Sequence, residues 1–69
     1  ANEKNGVVSD LSGTCPSVTF TVAGVRVATS ASTTFDGGCA RVQNGVRVEV
    51  EGTIQADGSI VALKVELDD

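Results

Sequence analysis

The stretch Val46-Arg47-Val48-Glu49-Val50-Glu51-Gly52-Thr53-Ile54-Gln55-Ala56-Asp57-Gly58-Ser59-Ile60-Val61-Ala62-Leu63-Lys64-Val65-Glu66-Leu67 decides the fold. In its first half Val46, Val48, Val50, Gly52 and Ile54 alternate with Arg47, Glu49, Glu51 and Thr53; in its second, Val61, Leu63, Val65 and Leu67 alternate with Ile60, Ala62, Lys64 and Glu66. A period of two is the side-chain repeat of a strand with one face buried. Asp57-Gly58 lies between the runs and is a preferred type I′ pair, because glycine takes a positive φ without a steric cost. A two-residue loop there pairs Ile54 with Val61, Gly52 with Leu63, Val50 with Val65 and Val48 with Leu67, and is expected to send every apolar residue to one face. The other face sets Glu51 opposite Lys64, Arg47 diagonal to Glu66, and Glu49 against Glu66. A slip of one residue would turn one apolar set to water. Gly52 inside so long a strand predicts a bend or bulge, as a sheet needs when it curls onto itself.

Working toward the N-terminus, Val18, Phe20 and Val22 alternate with Thr19, Thr21 and Ala23, and Val25 and Val27 continue beyond Gly24. A two-residue Ala23-Gly24 loop would pair Val22 with Val25 and Phe20 with Val27. A three-residue loop with Gly24 in the left-handed region is equally acceptable, since alanine is a poor residue for positive φ. Ser12-Gly13-Thr14-Cys15-Pro16 reads as a turn cluster, with Pro16 placed at a strand entry because it cannot donate to a ladder. Thr29 to Asn44 is the least regular part, and Phe35 and Val42 are its expected core anchors. Ala1 to Asn5 is polar and without period, so residues 1–5 are expected as a frayed tail, a strand over Gly6 to Leu11, and residues 6–69 as one domain. Gly24-Val25-Arg26-Val27 recurs as Gly45-Val46-Arg47-Val48, but the likeness ends there and marks a turn leading into a strand, not a repeat.

Composition agrees. Twelve Val, seven Thr and two Ile stand in 69 residues that contain no Met, Trp, Tyr or His. Such β-branched side chains are stiff at χ1 and fit a pleated sheet better than a helix, and no window carries a helical apolar stripe. A chain this small builds a marginal core, for which a covalent staple is a common supplement. The net charge of -4 sets the average surface against nucleic acid and anionic membranes. No apolar stretch is long enough to span a bilayer.

Cys15 and Cys39 form an even pair with no His anywhere and no second Cys beside either, which removes the zinc and CxxC readings. Free core thiols or a disulfide remain. Size and the turn chemistry around both favour the bridge, which over a separation of 24 residues restricts the unfolded chain by about 3 to 4 kcal/mol. A catalytic Cys would lack a His to activate it.

Ser17-Val18-Thr19-Phe20-Thr21-Val22, Thr33-Thr34-Phe35, Gly45-Val46-Arg47-Val48-Glu49-Val50-Glu51-Gly52 and Asp57-Gly58-Ser59-Ile60-Val61-Ala62 resemble the bacterial family catalogued as domain of unknown function 5666. The resemblance runs from Gly6 to Glu66. It is strongest to members with a Cys-Pro before the Phe strand and a Cys after the Thr-x-Phe segment, here Cys15-Pro16 and Cys39; Val42 stands where Leu is more usual. The resemblance implies an exported or lipid-anchored bacterial protein with a small OB-like barrel, here of five to six antiparallel strands with one disulfide. It brings no activity and no catalytic residue.

The remaining chemistry is sparse. A Ser-Lys pair would need Lys4 in the tail or Lys64 on an exposed strand face. Glu49 with Glu51, and Asp68 with Asp69, read as solvated surface before acid-base machinery. Asp36-Gly37-Gly38 and Asp57-Gly58 read as turns, since calcium needs six or more oxygens. Oligonucleotide-binding barrels use a basic groove and aromatic platforms, whereas Phe20 and Phe35 are wanted by the core and Arg26, Arg41, Arg47 and Lys64 face nine carboxylates. The expectation is an extracytoplasmic, non-catalytic binding or assembly module without cofactor, metal, nucleic acid or membrane span, with another envelope protein or an extracellular polymer as partner. A structural spacer without a ligand is the alternative, and an enzyme or oligonucleotide-binding domain stands third. An exposed apolar patch or uncovered edge favours the first, and a uniformly polar, closed surface the second.

Overall fold

The computed structural model describes residues 3–68. Ala1, Asn2 and Asp69 lie outside the described residues, and with them part of the expected tail and one carboxylate of the Asp68-Asp69 pair. Seven strands follow one another: β1 (Glu3–Val7), β2 (Ser9–Thr14), β3 (Ser17–Val22), β4 (Val25–Ala28), β5 (Thr34–Asp36), β6 (Arg47–Ile54) and β7 (Ile60–Leu67), with one short 3-10 turn at Cys39–Arg41 before β6. They form one sheet in the order β1-β6-β7-β4-β3-β2, and β5 also pairs with β7.

The all-β class and the single disulfide are as expected, but the closed antiparallel barrel of five to six strands is not. The sheet has seven strands and ends at β1 and β2, which are not paired with each other, and β7 runs parallel to both β4 and β5. The expected strand from Gly6 to Leu11 is broken at Val8. There the backbone turns aside to bond with the β6 approach: Val8 N–H donates to Val46 O at 2.8 Å and Gly45 N–H to Val8 O at 2.9 Å. Before Val8 the chain pairs with β6, and after it with β3. Glu3, Lys4 and Asn5, expected to be frayed, stand in β1 opposite Glu51, Val50 and Glu49. Their polar side chains are exposed, and the ladder needs only their main chain.

The β3–β4 hairpin takes the two-residue loop, with Val22 opposite Val25 and Phe20 opposite Val27. Ala23 and Gly24 lie at φ +50° and +79°, the positive pair that matches the twist of the flanking strands. Pro16 sits at a hairpin tip, since Thr14 pairs with Ser17 across Cys15-Pro16.

The β6–β7 hairpin agrees with the sequence reading in its far half, where Val48 faces Leu67, Glu49 faces Glu66, Val50 faces Val65 and Glu51 faces Lys64. Near the turn the register differs by one: Gly52 faces Ala62, Thr53 faces Val61 and Ile54 faces Ile60. The loop has three residues, not two, with Gln55 N–H donating to Ser59 O at 2.7 Å, Gly58 N–H to Gln55 O at 3.0 Å, and Gly58 at φ +90°. A three-residue loop with a left-handed glycine is the next commonest hairpin closure. A bulge reconciles the two halves, leaving Leu63 without a partner and placing Gly52 against the opposite backbone. A Cβ on Gly52 would meet the Val61 carbonyl oxygen and come within 2.9 Å of Ala62 Cα. The apolar residues therefore do not all share one face. Ile60 and Ala62 turn inward, while Val61 and Leu63 turn outward.

The core comprises Phe20, Val22, Val27, Val48, Val50, Ile60 and Val65 with Val8, Val18, Val42 and Ala62 around them. Each large side chain so buried contributes about 1.5 to 3 kcal/mol of transfer free energy. Val42 is buried, and Phe35 packs half-buried against the cluster. Two threonines are buried with them, and both are satisfied. Thr29 Oγ1 donates to Pro16 O at 2.6 Å and accepts from Val18 N–H at 2.9 Å. Thr33 Oγ1 donates to Ala62 O at 2.8 Å and accepts from Ser30 N–H at 3.0 Å.

Candidate functional site

Cys15 and Cys39 are joined, with their Cα atoms 6.0 Å apart. The bond ties the β2–β3 hairpin tip to the 3-10 turn in the long crossover between β4 and β6. The crossover is also held by the three residues of β5, by buried Thr33 and Val42, and by the bond from Gly45 N–H to Val8 O. The staple thus positions β5, and β5 supplies one margin of the surface described next.

On the sheet's outer side the register sets two rows. Asp36, Glu66, Glu49 and Asn5 stand side by side on β5, β7, β6 and β1, and Thr34, Lys64, Glu51 and Glu3 form the adjacent row. Beyond them, toward the β6–β7 turn, lie Leu63 and then Val61, which faces Thr53 on β6 and Ala28 on β4. Leu63 is 60% exposed and Val61 42%. Lys64 Nζ lies 4.0 Å from Glu66 Oε2 with both side chains partly exposed, a pair of small energetic consequence. The Asp36 carboxyl beside Glu66 raises its pKa above the ordinary glutamate value; Lys64 opposes the rise, while desolvation and Glu49 add to it.

A second feature is an open cleft of about 370 Å³ between two hairpin turns, lined by Gly24, Val25, Arg26, Asp57, Gly58 and Ser59. Arg26 is already engaged, donating to Thr21 Oγ1 at 2.9 Å and to Asp10 O at 3.3 Å. Asp57 Oδ1 accepts from Ser59 Oγ at 2.6 Å and from Ser59 N–H at 2.9 Å, which holds its pKa below the ordinary aspartate value. These bonds satisfy the turn itself.

The other residues singled out from sequence are dispersed. Lys4 lies on β1, Arg26 on β4, Arg41 in the 3-10 turn, Arg47 at the start of β6 and Lys64 on β7. Phe20 is fully buried. Among the described residues no three of His, Cys, Asp and Glu are placed to hold a metal ion, and no helix is long and apolar enough to cross a membrane. Sequence reasoning missed the outward pair Val61 and Leu63. Gly52 was the available signal: a bulge there implies that the residues opposite change face.

The fold and this surface define a small, disulfide-stapled all-β module whose outer sheet face joins an apolar pair to rows of carboxylates. Residues 5–66 match the family described as Domain of unknown function (DUF5666), and the chain belongs to it. Neither a curated protein nor a solved structure matches the chain.

Proposed function

We propose that the domain is a non-catalytic binding or assembly module of a bacterial exported or envelope protein, contacting another envelope protein or an extracellular polymer. The observation that carries this reading is the outward placement of Leu63 and Val61 on β7, a strand in the interior of the sheet. Leu63 and Val61 lie next to one another on one solvent-facing side, and adjoining exposed apolar side chains rimmed by polar ones suit a contact surface better than a spacer. The disulfide supports an extracytoplasmic setting, since such bonds persist in oxidising compartments. The absence of His from the chain and the solvated carboxylates support a module without acid-base or nucleophilic chemistry.

Immobilised oxidised domain, incubated with envelope extract, tests the reading when compared with Leu63→Glu. Retention of a component by the natural domain and its loss with the variant is the expected result. Retention by neither favours the spacer, and equal retention by both removes Leu63 and its face as the contact.

A further inference from the structure

The outer face carries two observations of different kind. One is the apolar pair Leu63 and Val61, exposed by the bulge. The other is a surplus of negative charge directly beside it: Glu51 and Glu3 in the nearer row and Asp36, Glu66 and Glu49 in the farther one, with Lys64 the cation in those rows and Arg47 on the same face beyond Glu49. Like charges set directly opposite across a ladder are unfavourable, and Glu66 sits between two of them.

We propose that this face docks a cationic, extended segment of a partner protein, with one apolar side chain seated on Leu63 and Val61 and its lysines or arginines over Glu51, Glu49, Glu66 and Asp36. The inference rests on the binding-module reading above and specifies the partner's chemistry. Charge complementarity selects this occupant over the others. A second copy of the chain meeting this face through two-fold symmetry would bring the same surplus of carboxylates to it. Nucleic acid carries the same sign as the face. A metal ion leaves the apolar pair unused. A basic segment with an apolar anchor satisfies both halves at once: the anchor removes Leu63 from water, and the cations relieve the repulsion along the Asp36, Glu66 and Glu49 row. Electrostatic complementarity of this kind gives selectivity and speed of encounter more than raw affinity.

Amide chemical shifts of the oxidised domain, titrated with a blocked hexapeptide of alternating lysine and leucine, test the proposal beside lysine–serine and glutamate–leucine hexapeptides. The expected result is salt-sensitive shifts centred on Glu51, Leu63 and Lys64 with the lysine–leucine peptide, weaker binding of the lysine–serine peptide and none of the glutamate–leucine peptide. Leu63→Ser should weaken binding about tenfold through lost burial, and the Glu49→Gln, Glu66→Gln double variant about fivefold through lost pairing. All three sites are on the solvent side, and the amide spectrum itself reports whether each variant is folded. The proposal is overturned by shifts confined to the Gly24–Arg26 turn, by equal binding of the lysine–serine or glutamate–leucine peptide, by no binding at all, or by dimerisation of the free domain through Leu63. If Leu63-dependent retention from envelope extract survives any of these outcomes, the binding module stands and only its preference for a cationic partner falls.

Discussion

The Thr33 hydroxyl donates to the carbonyl oxygen of Ala62 at 2.8 Å, at the point where β7 exchanges one parallel neighbour for another. Ile60 and Val61 pair with β4, and Lys64 to Glu66 with β5. Between them Ala62 faces neither strand in the ladder, and a side chain takes the place of a backbone donor. The same oxygen of Thr33 accepts from Ser30 N–H, so one buried hydroxyl serves two backbone groups. Thr33→Val, close in shape but without the hydroxyl, should cost about 1 to 3 kcal/mol, the range for stranding a buried polar group. Thr33→Ser should recover most of it. Urea unfolding of the two variants checks this, and a Val variant as stable as the natural chain would remove Thr33 from the account.

Gly52 is fixed by space. Its missing side chain lets Val61 O and Ala62 Cα come close, and a Cβ there has backbone and the buried Ile60 Cγ2 to displace. Gly52→Ala should destabilise by about 1 to 3 kcal/mol, as overpacking does. Thr53→Ala, one residue on and exposed, should stay within about 0.5 kcal/mol. Thermal melts of the pair decide whether the bulge needs glycine.

Cys15 and Cys39 close a segment of sequence separation 24, and the constraint acts mainly on the unfolded chain. Reduction should lower stability by about 3 kcal/mol on the chain-entropy model, with a corresponding fall in melting temperature. Native, unreduced protein should show no thiol toward Ellman's reagent. Two titratable thiols, or an unchanged melt after reduction, would contradict the staple's role.

The row Asp36, Glu66 and Glu49 predicts a pH dependence with a definite sign. The pKa of Glu66 is raised in the folded state, first by the Asp36 carboxyl and against the pull of Lys64. Folding therefore favours its protonated form: that contribution is fully present below the ordinary glutamate pKa and is lost as pH rises through the raised value. Asp57, lowered by its bonds to Ser59, has the opposite sign and loses its contribution as pH falls through its folded value. Glu66→Gln should accordingly melt above the natural chain at neutral pH, with the difference vanishing in acid. Both side chains are solvated, so the effect should shrink with added salt. A variant that melts lower at neutral pH would mean that Lys64, not the carboxylates, governs Glu66.

Much of this architecture can be read from residues 46–67, because periodicity two over eight residues and Asp57-Gly58 between the runs leave few registers. Val50 opposite Val65 follows from that pattern. Val61 and Leu63 facing outward does not, since the pattern is equally apolar for either loop length, and only the main-chain closure of Gln55 on Ser59 selects three residues. β1 escapes the reading for another reason. It contributes backbone pairing with little side-chain burial, and Glu3, Lys4 and Asn5 carry no apolar period to detect. β5 is three residues long and finds its partner on the far side of β6 in sequence, a parallel pairing that no local signal announces. On the outer face Glu49 against Glu66 and Glu51 against Lys64 follow from the hairpin pattern, whereas Asp36 and Glu3 join those rows only through β5 and β1.

The chain should not bind single-stranded DNA or RNA at physiological salt. Affinity for such strands comes from neutralised phosphates along a basic groove and from bases stacked on exposed rings, the latter contributing about 1 to 3 kcal/mol per base. Neither requirement has a counterpart on this surface. Phe20 is fully buried and Phe35 half-buried against the core, which leaves no ring free to stack. Arg26 is engaged by Thr21 and Asp10 on β4's exposed side, Arg41 belongs to the 3-10 turn, and Arg47 lies on the outer side of β6 two residues from Glu49. The three arginines belong to three different elements, and the rows of Glu49, Glu51 and Glu66 repel a phosphate backbone. Fluorescence polarisation with a labelled oligonucleotide should give a flat trace into the micromolar range. Salt-sensitive binding there would require the arginines to act together despite their separation, and would displace the cationic-partner reading, because one face cannot favour both signs of ligand.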